Sequence, residues 1–181
     1  MDGVTVATGD ITLGGDTRKS ISFPLIKEAA GSYRIEIAGQ SAVLSVVEPV
    51  RPPTGTYLVK DMPRGKAKLE VENGLDSDAV VIMSLPEKPD KPLVAVYIQA
   101  GDDYNIKQID AGTYIIYFSL GHDWDEGSGK FITDATYERF EEEIKFVSSS
   151  THYSVVTVTL HPVAGGTAAI ENLDEDEFPE L

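Results

Sequence analysis

Apolar and polar residues alternate along most of this chain with the period of two that belongs to half-buried β-strands. Val4-Thr5-Val6, Ile11-Thr12-Leu13 and Ser20-Ile21-Ser22-Phe23 read as short strands, the last stopping at Pro24. Tyr33, Ile35 and Ile37 share one face, with Arg34 and Glu36 on the other. Gly39-Gln40 turns the chain, and Ala42, Leu44 and Val46 alternate again, which is a hairpin pattern. Farther on, Ala67, Leu69 and Val71 alternate with Lys68, Glu70 and Glu72 up to the turn signal Asn73-Gly74. Ala79–Met83 is continuously apolar and is expected as a central strand. Leu93–Ile98, Tyr104–Ile109, Tyr114–Leu120 and Thr151–Leu160 complete the strand set.

Prolines and glycines divide the pattern. Pro49, Pro52, Pro53 and Pro63 cannot donate ladder hydrogen bonds, so 49–64 is expected as a stiff linker in which Leu58-Val59 pair briefly at most. Pro86–Pro92 is expected as a polar loop. Between Tyr137 and Val147 the pattern is open: Tyr137, Phe140, Ile144 and Val147 have helical spacing, whereas Ile144-Lys145-Phe146 alternates. The uniformly β surroundings favour two short strands over a one-helix insertion. The expected organisation is a first unit at 1–48, the linker at 49–64, a β-sandwich domain at 65–163 and an acidic tail at 164–181.

One phrase occurs twice. Gly31-Ser32-Tyr33 and Gly112-Thr113-Tyr114 each put a glycine at a turn and a tyrosine at the first inward position of a strand, and Gly55-Thr56-Tyr57 is a shorter echo. A tyrosine so placed sends its ring into a sandwich core and its hydroxyl back to a nearby carbonyl, the geometry of a tyrosine corner. The predicted fold class is therefore all-β, with immunoglobulin-like β-sandwich units of which the N-terminal one is incomplete. Tyr33 and Tyr114 are expected to be buried. A first unit this small needs a second layer over its apolar face, supplied by the other domain or by a second copy of the chain, so a homodimer through this unit is a further expectation.

Composition narrows the function. The 181 residues are 41% hydrophobic, enough for a packed core, and carry a formal charge of −15. Nucleic acid is a poor partner for such a chain, because binding it needs clustered Lys and Arg. No apolar run is long enough to insert in a membrane. Met1-Asp2-Gly3-Val4 starts no signal-peptide pattern. The absence of cysteine removes disulfides, thiolate metal sites and cysteine nucleophiles, and is compatible with the cytoplasm as well as with an exported module. In the tail, Glu171, Asp174, Glu175, Asp176, Glu177 and Glu180 stand without a base. It is expected as a solvated, partly disordered end, the alternatives being an anchor at Phe178-Pro179 or a cation-binding tail.

At Leu13–Val47 the chain resembles the last half of a CARDB-like cell-adhesion domain: a Gly14-Gly15 turn, Ile21-Ser22-Phe23, Gly31-Ser32-Tyr33-Arg34-Ile35-Glu36-Ile37-Ala38-Gly39 and a final Leu44-Ser45-Val46 strand. Gly65–Glu177 resembles an uncharacterised prokaryotic β module through Glu72–Val81, Leu93-Val94-Ala95-Val96-Tyr97, His122-Asp123-Trp124-Asp125 and Thr159-Leu160-His161-Pro162-Val163. The CARDB resemblance implies a cell-surface or secreted, multidomain setting. The second implies a fold and no activity.

The best site candidate is the loop around His122, Asp123, Trp124, Asp125 and Glu126, which gathers three carboxylates, an imidazole and the only tryptophan among glycines. Asp-x-Asp places two carboxylates together, so Ca²⁺ is a possible occupant, although the loop lacks the EF-hand pattern. The alternatives are a polar loop with Trp124 pinned at the core edge, or an aromatic platform for a sugar or peptide. His152 and His161 lie nine residues apart on one expected strand, hence on opposite faces, and make no zinc pair. Asp76/Asp78 and Asp102-Asp103 read as turn carboxylates, and no nucleophile elbow, phosphate loop or dinucleotide fingerprint occurs. The expected function is a non-catalytic surface or secreted spacer, adhesion or ligand-binding module whose partner is a protein or a carbohydrate. The alternatives are an intracellular protein-interaction domain and a carbohydrate-binding accessory domain of an enzyme.

Overall fold

The computed structural model describes residues 31–37, 40–46, 51–161 and 168–181. The chain divides into two units, Met1–Glu48 and Pro49–Leu181. In the first, β1 (Gly31–Ile37) and β2 (Gln40–Val46) form an antiparallel hairpin with Tyr33 opposite Leu44 and Ile35 opposite Ala42. The strands expected at Val4–Val6, Ile11–Leu13 and Ser20–Phe23 and the burial of the Tyr33 ring lie outside the described residues.

The second unit holds β3 (Thr56–Lys60), β4 (Ala67–Glu72), β5 (Asp78–Leu85), β6 (Lys88–Ile98), β7 (Asp103–Ile109), β8 (Gly112–Asp125), β9 (Lys130–Phe140), β10 (Ile144–Phe146), β11 (Val155–Thr159) and β12 (Ile170–Asn172). A seven-stranded sheet runs β12-β9-β8-β5-β6-β3, with β10 also on β8, and a three-stranded sheet runs β11-β4-β7. All described pairings are antiparallel except β11 with β4. The sheets pack face to face. Ala67, Leu69 and Val71 of β4, Ile106 and Ile109 of β7 and Val158 of β11 meet Val81, Met83, Val96, Ile116 and Phe118 in one buried cluster. A two-layer β architecture is thus observed.

The large sheet buries its other face too. Val80 and Ile82 alternate outward from β5 into a second cluster with Ala95, Tyr97, Ile115 and Tyr117. Its cover comes from the far end of the β8–β9 hairpin, through Trp124 and Phe131, and from the C-terminal segment, through Leu173 and Phe178. This double burial is why Ala79–Met83 reads as an unbroken apolar run. Tyr114 is buried near the start of β8, and its hydroxyl donates to the Asp110 carbonyl oxygen at 3.3 Å, the ring-in, hydroxyl-back arrangement expected from the Gly-Thr-Tyr phrase.

Four expectations need correction. The segment 49–64 is no bare linker, because β3 completes the edge of the large sheet against β6. Pro52, Pro53 and Pro63 flank β3 and interrupt no ladder. Pro86–Pro92 is not a loop: the chain reverses between Leu85 and Lys88, and the register shifts at Ser84 absorb Pro92. Thr151–Leu160 is a strand only over Val155–Thr159, with Tyr153 in an isolated bridge to Ser148.

Nor is the tail a solvated, disordered end. After β12 pairs with β9, a 3-10 turn at Glu175–Glu177 brings Phe178 against Tyr117 and Tyr137, at ring-centroid distances of 6.1 and 5.0 Å, and Pro179 is buried. The bases its acids lack locally come from β9, as Lys130–Glu175 and Arg139–Glu171 pairs, both at 2.6 Å. Over Tyr137–Val147 the chain forms the end of β9 and then β10, so the strand reading holds there.

Candidate functional site

The site is built around a buried carboxylate. Asp78 opens β5 and is only 5% exposed. Ionised at that depth, it needs donors on every side. Arg51 supplies a two-pronged contact, with Nε donating at 2.8 Å and Nη2 closing the fork. The Tyr97 hydroxyl donates to the same carboxylate, and the Ala100 amide donates at 2.8 Å. Burial by itself would raise the Asp78 carboxyl. The donors from Arg51, Tyr97 and Ala100 outweigh burial and hold it below its ordinary value. Burial, then the hydrogen bond to Asp78, push the Tyr97 phenol well above its ordinary value. Arg51, Asp78 and Tyr97 therefore form a fixed, ionised brace at one end of the large sheet.

The β8–β9 hairpin folds toward this brace. Across it, Leu120 faces Thr136 but His122 faces Thr133, so β9 carries a bulge, and Asp134 within it has φ 51°. Opposite the bulge stands Gly121. A Cβ there would lie 2.6 Å from the Phe131 Cβ, so only glycine permits this approach. Beyond it, Trp124 and Phe131 are direct cross-strand partners with ring centroids 5.1 Å apart, and both rings pack on Tyr97 at 5.8 and 5.9 Å. The result is a cavity of about 350 Å³ lined by Arg51, Asp76, Asp78, Tyr97, His122, Asp123 and Trp124.

Three of the five expected loop residues reach this cavity. His122 and Asp123 are exposed at its mouth. Asp123 has φ 54°, and its carboxylate accepts a hydrogen bond from Thr133 Oγ1 at 2.8 Å. Trp124 is 5% exposed and forms part of the wall, and its Nε1 has no hydrogen-bond partner among the described residues. The aromatic-platform expectation is corrected here, since a ring pinned between Tyr97 and Phe131 offers no open face for a sugar to stack on.

Asp125 and Glu126 fall outside the cavity lining. Asp125 closes the hairpin turn, accepting from the Gly127 and Ser128 amides at 3.3 and 3.1 Å, and the Ser128 side chain, followed by these amides, holds its carboxyl below its ordinary value. Among the described residues no three His, Asp or Glu side chains are gathered as a metal ion requires, so the Ca²⁺ expectation gains no geometric support. No described helix is long and apolar enough to cross a membrane.

Sequence reasoning missed Arg51, which stands among linker prolines, and passed over Asp78 as a turn carboxylate. Two signals pointed to them. An acid placed directly before an apolar central strand is buried and must be paired, and a tyrosine within Leu93–Ile98 must find an acceptor for its hydroxyl.

Compared with protein-family models, curated proteins and solved structures, the chain matches none.

Proposed function

We propose that this chain is a non-catalytic binding module, immunoglobulin-like in its sandwich type and CARDB-like in its first unit, carried by a larger surface or secreted protein. Its recognition site is the cavity between β6 and the folded β8–β9 hairpin. The observation that carries this reading is the rigid Arg51–Asp78–Tyr97 brace forming one wall while the hairpin delivers His122, Asp123 and Trp124 to the other. Asp78 is fully engaged by its donors, which suits a scaffold and leaves it no part in proton transfer.

The charge of the cavity names the ligand class. Three carboxylates, Asp76, Asp78 and Asp123, face one guanidinium, and Arg51 is spent on Asp78. Asp76 and Asp123 remain to attract a cation, so the preferred occupant is the ammonium or guanidinium of a partner protein's side chain. An intracellular interaction domain would use the same cavity and differ only in compartment. The buried Trp124 ring weighs against the carbohydrate reading.

Trp124 is the only tryptophan in the chain, so its fluorescence reports on this site alone. The full chain titrated with N-acetyl-arginine amide should show a saturable change in Trp124 emission that Asp76→Asn/Asp123→Asn weakens about tenfold, a loss of about 1.4 kcal/mol. N-acetyl-glutamate, maltotriose and CaCl₂ should leave the emission unchanged. A response to maltotriose or CaCl₂ alone would replace this reading with the sugar or calcium one, and silence in every arm would overturn the site.

A further inference from the structure

A second cavity lies at the β3 edge of the large sheet. It has a volume of about 170 Å³ and is lined by Tyr57, Lys60, Met62, Arg64, Val94, Lys107 and Gln108. Three of these are cations, in a chain whose net charge is −15. Among the described residues none of the three is in an ion pair. Lys60 instead lies over the Tyr57 ring, 4.1 Å from its centroid.

The backbone around this cavity is irregular in a specific way. β3 is the last strand of the large sheet and β7 the last of the small one, so the cavity opens between two sheet edges. Each edge strand shifts register beside it. On β3, Tyr57 faces Val96 but Val59 faces Ala95, which leaves Leu58 as the extra residue. On β7, Ile109 faces Ala67 but Lys107 faces Lys68, which leaves Gln108. Gln108 has φ 68°, a left-handed conformation that glycine adopts freely and glutamine at a cost. Its carbonyl is fixed by the Gly65 amide at 3.0 Å. Bulges re-aim side chains at sheet edges, and here the two shifts stand where Tyr57, Lys107 and Gln108 meet Lys60 and Arg64. Tyr57 and Tyr104 tie the two edges together, ring centroid to ring centroid at 6.4 Å.

We propose that this inter-sheet cleft is an anion site for the phosphate or sulfate ester of a ligand. Three cations in one concavity exceed what a single carboxylate neutralises and suit a tetrahedral ester anion, the phosphate ester with close to two charges ahead of the sulfate ester with one. The Gln108 side-chain amide adds a neutral donor to ester oxygens. The cavity is smaller than the pockets that enclose drug-sized ligands, so it takes the charged head and leaves the remainder of the ligand outside. The site is separate from the acidic cavity at the hairpin and does not depend on that reading.

The test uses the isotope-labelled full chain, titrated with inorganic phosphate against NaCl of matched ionic strength, then with phosphoserine amide and sulfotyrosine amide to separate the two esters. Phosphate should shift the Lys107, Gln108 and Gly65 amides saturably and raise the thermal midpoint by a few degrees, while NaCl does neither. Lys60, Arg64 and Lys107 are exposed, so Lys60→Gln/Arg64→Gln/Lys107→Gln should fold and bind at least about tenfold more weakly. Gln108→Gly relieves the left-handed strain, and it should raise the midpoint of the free protein while weakening phosphate binding. Equal responses to phosphate and NaCl, or binding that survives the triple substitution, would overturn the proposal.

Discussion

Replacing Asp78 with alanine strands three sets of donors at once, and their exposures set the cost. The Tyr97 side chain is fully buried, so its orphaned hydroxyl costs about 1–3 kcal/mol. The Ala100 amide is half-buried and adds a smaller penalty of the same kind. The Arg51 side chain is 53% exposed and turns into water, so its share is small. The expected sum is about 3 kcal/mol, or on the order of 10 °C in midpoint for a unit of this size. Urea unfolding followed by Trp124 fluorescence measures it. Tyr97→Phe alone should cost about 1 kcal/mol, and the double variant should cost less than the sum by about 1–2 kcal/mol, because the hydroxyl that Asp78→Ala strands is already gone. The pH dependence has a fixed sign. The folded carboxyl is held below its unfolded value, so the wild-type advantage over Asp78→Ala is whole above about pH 4 and drains away as pH falls through the lower folded value. A cost under about 1 kcal/mol, or additivity of the two substitutions, would refute the brace.

Three further outcomes are expected. Phe178→Ala should cost about 2–3 kcal/mol by uncovering Tyr117 and Tyr137, whereas Lys130→Ala, which removes only an exposed ion pair, should leave the midpoint nearly unchanged; thermal unfolding compares them. Gly121→Val should push Phe131 away, cost about 1–3 kcal/mol and shift Trp124 emission to the red as the hairpin lifts from Tyr97. Tyr114→Phe should cost about 1 kcal/mol for its one hydrogen bond, and Tyr114→Ala about 3–5 kcal/mol for the ring, both read by urea midpoints.

The strand pattern was legible wherever one face of a strand is buried, because burial imposes the period of two. β4 follows it residue by residue, and β5 breaks it for the physical reason that both its faces are covered. The Gly-Thr-Tyr phrase marked Tyr114 correctly. What the chain hides is partnership at a distance. Arg51 and Asp78 are 27 residues apart, and nothing local to either names the other. Phe178 sits in an acidic run whose composition reads as solvated, because its ring partners, Tyr117 and Tyr137, lie far upstream. The burial of Trp124 depends on a bulge at Asp134 and a bare backbone at Gly121, and neither leaves a mark in the hydrophobic pattern.

The most direct test of the binding site is a nitrogen–proton correlation spectrum of the labelled full chain during titration with N-acetyl-lysine amide. The single indole resonance of Trp124 and the amides of Asp76, His122 and Asp123 should move together along one saturation curve, while those of Lys107 and Gln108 at the other cavity stay still. A stationary Trp124 resonance, or shifts scattered over both cavities with no saturation, would contradict the account.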